Sequence, residues 1–291
     1  MPDAAPTIRA TRRLELRELG RISFAAAWTL QQSLEASRKA GQICDQLLLL
    51  EHTHVLTLGR NGRMNNVLLS RERLAELGIE FFEINRGGDI TYHGPGQIVG
   101  YPIVDLREWK RDVVAYVRGL EETVIRTLAR FGVEGCREPG ATGVWVRNKD
   151  GQLAKICAIG VHISRWVTTH GFAFNWATDL SYFGYIVPCG LTRPVTSLEA
   201  LGVKEPRADV QQALVREFAS VFDYDPVIAA GAMSPCSRIF RAAINSPRKK
   251  LARRPSQASV ASASITRKEP VPPPKFDSMP QMPAMAPAET P

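Results

Sequence analysis

Apolar residues recur at helical spacing in three long stretches. "FAAAWTLQQSLEASRKAG" (24–41), "RDVVAYVRGLEETVIRTLARFG" (111–132) and "ADVQQALVREFASVF" (208–222) each predict an amphipathic helix, the first two closed by Gly41 and Gly132. "SRERLAELG" predicts a shorter helix capped by Ser70. Between the helices the pattern shortens. "DQLLLLEHTHVLTLG" predicts two short strands or a strand and a turn, and "IEFFEI", "QIVGYPIVDL", "TGVWVRN", "GQLAKICAIGVHI" and "GFAFNW" predict strands separated by turn residues. The strands cluster without regular strand–helix alternation. The expectation is an α+β fold, a mixed β-sheet with flanking helices, rather than a doubly wound sheet. It spans residues 11–239, after a flexible N-terminus at 1–10.

Composition changes the picture only at the end of the chain. The 291 residues carry a formal charge of +8, but from Arg238 onward ten basic and three acidic residues account for +7 of it. That segment also holds ten of the twenty prolines and few large apolar groups, so residues 240–291 are expected to be a disordered Pro/Ser/Ala/basic tail. The near-neutral remainder argues against a nucleic-acid partner. No apolar run approaches the roughly 20 residues that span a bilayer, so no membrane association is expected. Arg9, Arg12, Arg13, Glu15, Arg17 and Glu18 interrupt any signal core. The five cysteines are odd in number and lie in no zinc spacing, which fits a reducing, cytoplasmic setting. His52 and His54 alone are poor grounds for a metal, and neither a metal nor a cofactor is expected.

"NRGGDITYHGPGQ" (85–97) is the oddest stretch. It lacks the glycine spacing of a dinucleotide fold and the lysine of a P-loop. Its glycines let backbone approach a ligand, and Arg86 adds a fixed charge. It reads equally well as a turn between two strands, with His93 a half-buried ring. Two further residues stand out. Lys155 interrupts an apolar run, where an unpaired ammonium is costly, although an edge lysine can snorkel. Cys189 sits in a rigid Pro-Cys-Gly turn, as core filling or as a nucleophile.

The strings "NRGGDITYHGPGQIVGYPIVDL", "PGATGVWV", "AKICAIGVHISRW", "THGFAFNWATDLSYFGYIVPCGL" and "TSLE" resemble, in order, the lipoyl(octanoyl) transferase family, which shares its core with biotin and lipoate protein ligases. The likeness implies that an octanoyl group passes from octanoyl-acyl carrier protein to a lysine of apo lipoyl domains, those of 2-oxoacid dehydrogenases and the glycine cleavage H protein, with the enzyme a monomer. It implies that Cys189 is the acyl-accepting nucleophile and that Lys155 lowers its pKa. A thiol at its usual value of about 8.5 is mostly protonated at neutral pH. It further implies an acyl site lined by Arg86, Gly87, Gly88, Asp89, Ile90, Thr91, Tyr92, His93, Ala158, Ile159, Gly160, Gly171, Phe172 and Ala173. Two positions depart from the family: Thr53-His54 replaces a common proline pair, and Phe174 a common leucine. The alternative is an ATP-dependent lipoate or biotin ligase, which needs no cysteine nucleophile.

Overall fold

The computed structural model describes residues 12–187 and 193–229. The segments 1–10 and 240–291, and Cys189, lie outside the described residues. The longest apolar runs make the centre of an eight-stranded mixed sheet. There β2 (Asp45–His52), β6 (Gln97–Ile103) and β10 (Val167–Asn175), each buried along its whole length, pair antiparallel in that order. The sheet continues beyond β10 as an antiparallel meander through β9 (Leu153–Ser164), β8 (Ala141–Arg147) and β7 (Cys136–Glu138). On the other side β1 (Arg12–Ile22) and β11 (Tyr224–Ala229) are added in parallel.

Helices α3 (Val113–Arg130) and α4 (Arg207–Val221) supply Leu120, Val124, Leu214 and Phe218 to the core on one face of this sheet. Helix α1 (Phe24–Lys39), whose N-terminus is capped by Ser23 and whose last turn carries Arg38 and Lys39, packs Ala27 and Leu34 on the other. A second, three-stranded sheet has β3 (Val55–Leu58) in the middle, parallel to β4 (Glu80–Glu83) and antiparallel to β5 (Ile90–His93). Helix α2 (Arg71–Glu76), capped by Ser70, buries Leu74 in the apolar cluster of that sheet.

The architecture is the mixed α+β one that the pattern predicts, with local differences that include the short strand β7, which has no apolar alternation to mark it. Residues 90–93 are a strand, not part of a loop. Ile90, Thr91 and Tyr92 have strong strand preference, and the glycines of the region lie outside the strand rather than within it. Strand β1 escapes the pattern because "RRLELRELGRI" buries only Leu14 and Leu16, and backbone pairing on both edges holds the rest. Strand β11 is likewise held by its parallel pairing with β1.

Candidate active site

The register of the β9–β10 hairpin builds the floor of a cavity. Ala158 pairs with Ala173 and Gly160 with Gly171, while the alternating pairs are Cys157 with Phe174 and Ile159 with Phe172. Because side chains alternate across a strand, the four small residues share one face. Cys157, Phe172 and Phe174 belong to the core beneath α3 and α4. The small face is left with a space of about 230 Å³, walled by Phe24, Arg86, His93, Tyr101, Trp145 and Lys155, among others. Gly160 is needed for close approach: a Cβ there would lie 2.9 Å from both Arg86 Cδ and the Gly87 carbonyl oxygen. Gly100 serves the opposite face, where a Cβ would meet the Phe172 ring at 2.1 Å.

A hydrogen-bonded chain stiffens one wall. Arg86 donates to the Thr57 carbonyl at 2.6 Å and to Thr57 Oγ1 at 3.0 Å. His93 Nε2 lies 3.4 Å from that hydroxyl, and His93 Nδ1 lies 2.8 Å from Gln97 Oε1. Gln97 Nε2 donates to Asn175 Oδ1 at 3.0 Å, and Asn175 Nδ2 donates to the Thr196 carbonyl at 3.0 Å. Since the amide oxygen of Gln97 can only accept, His93 carries its proton on Nδ1 and accepts at Nε2. Burial holds its pKa well below the usual histidine value, with His52 and Arg86 adding charge repulsion. His52 bridges the Ile22 carbonyl (3.0 Å) and Tyr101 Oη (2.8 Å), and burial pushes its pKa down to about 4. His170 contacts Asn85 Oδ1 at 3.0 Å and is pushed down to about 3, again chiefly by burial. With contacts at both ring nitrogens, His93 is fixed in the cavity wall.

Lys155 stands at the other end of the floor, opposite Trp145 in the β8–β9 pairing, where a bulge before Cys157 breaks the alternation and lets Lys155 face the cavity with Ala158 and Gly160. Its Nζ lies 4.7 Å from the centre of the Trp145 ring, and the Arg193 guanidinium lies 5.5 Å from the same ring while pairing with Glu138 at 2.7 Å. The Lys155 backbone holds the incoming chain. Its N–H donates to the Pro194 carbonyl at 2.9 Å, and its carbonyl accepts from Thr196 N at 3.0 Å. On the other side of residues 188–192, the Val187 N–H donates to the Asn66 carbonyl at 2.9 Å. Phe183, Arg193 and Val195 all line the cavity, so both described flanks of the segment carrying Cys189 reach it. The cysteines among the described residues are poor nucleophiles. Burial raises the pKa of Cys44 and Cys136 and pushes the fully enclosed Cys157 far above the thiol range.

Of the expected acyl-site residues outside the cysteine segment, all but Gly87 and Tyr92 line this cavity. Gly87 instead donates its N–H to the Val161 carbonyl at 2.9 Å. Tyr92 points to the opposite face of β5, where its hydroxyl meets His54 Nδ1 at 2.8 Å and its ring stacks on Tyr182 at 5.0 Å. His54 thus belongs to an aromatic stack, and His52 to a separate buried pair. Among the described residues no group of three His, Cys, Asp or Glu side chains is placed to hold a metal ion. Sequence reasoning missed Phe24, Gln97, Tyr101, Trp145, His170 and Asn175. His170 has left-handed backbone (φ 57), unusual for a residue other than glycine, but no sequence signal marks it.

A β-sheet with a small-residue floor, a lysine at one end and a hydrogen-bonded polar wall that includes Arg86 makes this cavity the candidate active site. The chain belongs to the lipoyl protein ligase A/B catalytic domain family, whose sequence profile matches residues 23–219. It is an acyltransferase. It is 60% identical over 210 residues to the octanoyltransferase of Solibacter usitatus (strain Ellin6076), an alignment that covers 72% of this chain and 93% of that protein. It is 50% identical over 223 residues to the octanoyltransferase of Acidobacterium capsulatum, covering 72% and 91%. Its fold is similar to that of a bipartite lipoate protein ligase from Thermoplasma acidophilum, with a TM-score of 0.59 at 16% identity over 76% of this chain and 88% of that one. No helix among the described residues is long and apolar enough to cross a membrane.

Proposed function

We propose that the protein transfers an octanoyl group from octanoyl-acyl carrier protein to a lysine of an apo lipoyl domain, through a thioester on Cys189. The observation that carries this reading is the floor of Ala158, Gly160, Gly171 and Ala173, which runs away from Lys155 in a chain so similar to octanoyltransferases. Gly160 lies five residues from Lys155, about 13 Å along β9 with the bulge between them. Small side chains there let an extended acyl chain lie against backbone.

In the first half-reaction the Cys189 thiolate attacks the donor thioester carbonyl. A new C–S bond forms, the old one breaks, and the departing phosphopantetheine thiolate takes a proton from the Lys155 ammonium and leaves as the thiol, so that Lys155 enters the second half-reaction as a neutral amine. In the second, the lysine amine of the lipoyl domain attacks the enzyme thioester, a C–N bond forms, and Cys189 is released as the thiolate. The amine proton passes to Lys155. The Lys155 charge favours the thiolate form of the nucleophile, and Trp145 and the backbone bonds to residues 194 and 196 hold the lysine at the cavity end. Arg86, Gly88, Asp89, Ile90, Thr91 and His93, with their hydrogen-bonded partners, form the rigid acyl wall. No nucleotide enters either step, because thioester aminolysis runs downhill.

Intact mass after mixing with octanoyl-acyl carrier protein tests the reading. One octanoyl adduct is expected, mapped to Cys189, absent from Cys189→Ser and retained in Cys136→Ser. An adduct on another cysteine, or a strict requirement for ATP, would overturn it; the ATP requirement would favour the ligase alternative.

A further inference from the structure

The loop between β3 and α2 has features that the chemistry above does not use. Arg60 and Arg63 are exposed there and form no ion pair among the described residues, in contrast to Arg71 and Arg73 just beyond, which pair with Glu83 and Glu76. Beside them lie Met64, 44% exposed, and Leu68, 50% exposed, two of the few large apolar side chains that the described surface presents to solvent. Two cations and two apolar groups within nine residues make an amphiphilic patch. Nothing in the fold of this chain requires it.

Its position is informative. The loop is bonded to the cavity wall along its length: Arg60 N–H donates to the Arg86 carbonyl at 3.0 Å, Asn61 N–H to the Gly88 carbonyl at 3.2 Å, and Asn66 Nδ2 to Asp89 Oδ2 at 2.5 Å. Arg86, Gly88 and Asp89 line the cavity. The far end of the loop holds the chain that leads to residues 188–192, through Val187 N–H to the Asn66 carbonyl and Leu68 N–H to the Tyr185 carbonyl, each at 2.9 Å. The patch is therefore carried on a loop bonded directly to residues that line the cavity. A partner seated on it lies beside the cavity wall.

We propose that Arg60, Arg63, Met64 and Leu68 are the docking surface for the acyl donor, a carrier domain with acidic and apolar side chains around the point from which its thioester arm extends. This rests on the octanoyl-transfer reading and specifies how the donor is recognised. Opposite charges raise the encounter rate and orient the carrier, while the two apolar side chains supply a dry contact at the centre. The first half-reaction depends on this surface; the second does not.

The experiment compares the full-length protein with Arg60→Glu/Arg63→Glu and Met64→Ser/Leu68→Ser double variants. Acylation is measured with octanoyl-acyl carrier protein and, separately, with octanoyl-pantetheine, which has the arm but no protein. For each variant kcat/KM with the carrier should fall by about tenfold or more at low salt, with octanoyl-pantetheine unaffected. The charge-reversed protein should also lose the salt dependence shown by the unsubstituted one. Transfer from pre-acylated enzyme to a lipoyl domain should keep its rate. Unchanged carrier kinetics, or equal losses with both donors, would overturn the proposal, as would a loss confined to the transfer step, which would assign the surface to the acceptor. Failure of the unsubstituted protein to be acylated by either donor would instead defeat the octanoyl-transfer reading.

Discussion

Ala158→Leu should convert the enzyme from a preference for octanoyl to one for short chains. Ala158 faces the cavity from β9, opposite Ala173, three residues beyond Lys155 and, with the bulge between them, about 7 Å along the strand. The first few carbons of an acyl chain anchored at the Lys155 end do not reach it, whereas the distal carbons of an octanoyl group do. Ala158 is only half-buried, because its methyl group borders the cavity rather than filled core. Leucine there should escape most of the roughly 1–3 kcal/mol overpacking cost of a closed interior. Its three added carbons take the room of about three chain methylenes in a space of about 230 Å³. Each methylene excluded from an apolar wall forfeits about 0.8 kcal/mol, so three forfeit about 2.4 kcal/mol, or about fiftyfold in kcat/KM. The assay is the initial rate of enzyme acylation with butanoyl, hexanoyl, octanoyl and decanoyl thioesters on one carrier. Octanoyl and decanoyl should lose about fiftyfold or more, and butanoyl about twofold at most. An equal loss at every chain length, or an undiminished octanoyl rate, would refute the placement of the chain along this floor.

Two further outcomes follow from the site. Lys155→Arg keeps the charge that favours the Cys189 thiolate but cannot accept a proton; single-turnover measurements should show acyl-enzyme forming and then stalling, and full transfer activity would remove the proton-accepting role. His52, His93 and His170 are each held neutral by burial below their ordinary value of 6.5, so the unfolded chain binds more protons in acid and stability must decline as pH falls. For His52, pushed down to about 4, the contribution is complete above pH 6.5 and is lost by about pH 4, an effect on the order of 3 kcal/mol; melting temperatures that stay flat across this window would contradict the buried neutral rings.

What the sequence discloses and what it conceals have a common physical origin. Period and capping are local properties, so α1, α3 and α4 and the apolar strands β2, β6 and β10 can be read from the order of residues alone. Register is not local. The chain 158–160 and the chain 171–173 each contain small residues, but only the pairings Ala158–Ala173 and Gly160–Gly171 place them on one face and set Phe174 in the core beneath α3 and α4. Tyr92 shows the same rule from the other side. It lies between two wall residues in sequence, yet the two-residue period of β5 sends it to His54 and Tyr182. The polar wall is more deeply hidden, because Gln97 and Asn175 meet across 78 positions and Asn85 and His170 across 85. Neither amide has any sequence feature that distinguishes it from a surface asparagine or glutamine. A chemical residue such as Lys155 can be found because it breaks a local pattern. A residue that only positions others keeps to the local pattern, and its role emerges when the strands come into register. His93 is a clear case: the sequence leaves it a half-buried ring, and the hydrogen bonds from Thr57 and to Gln97 fix its tautomer and orientation.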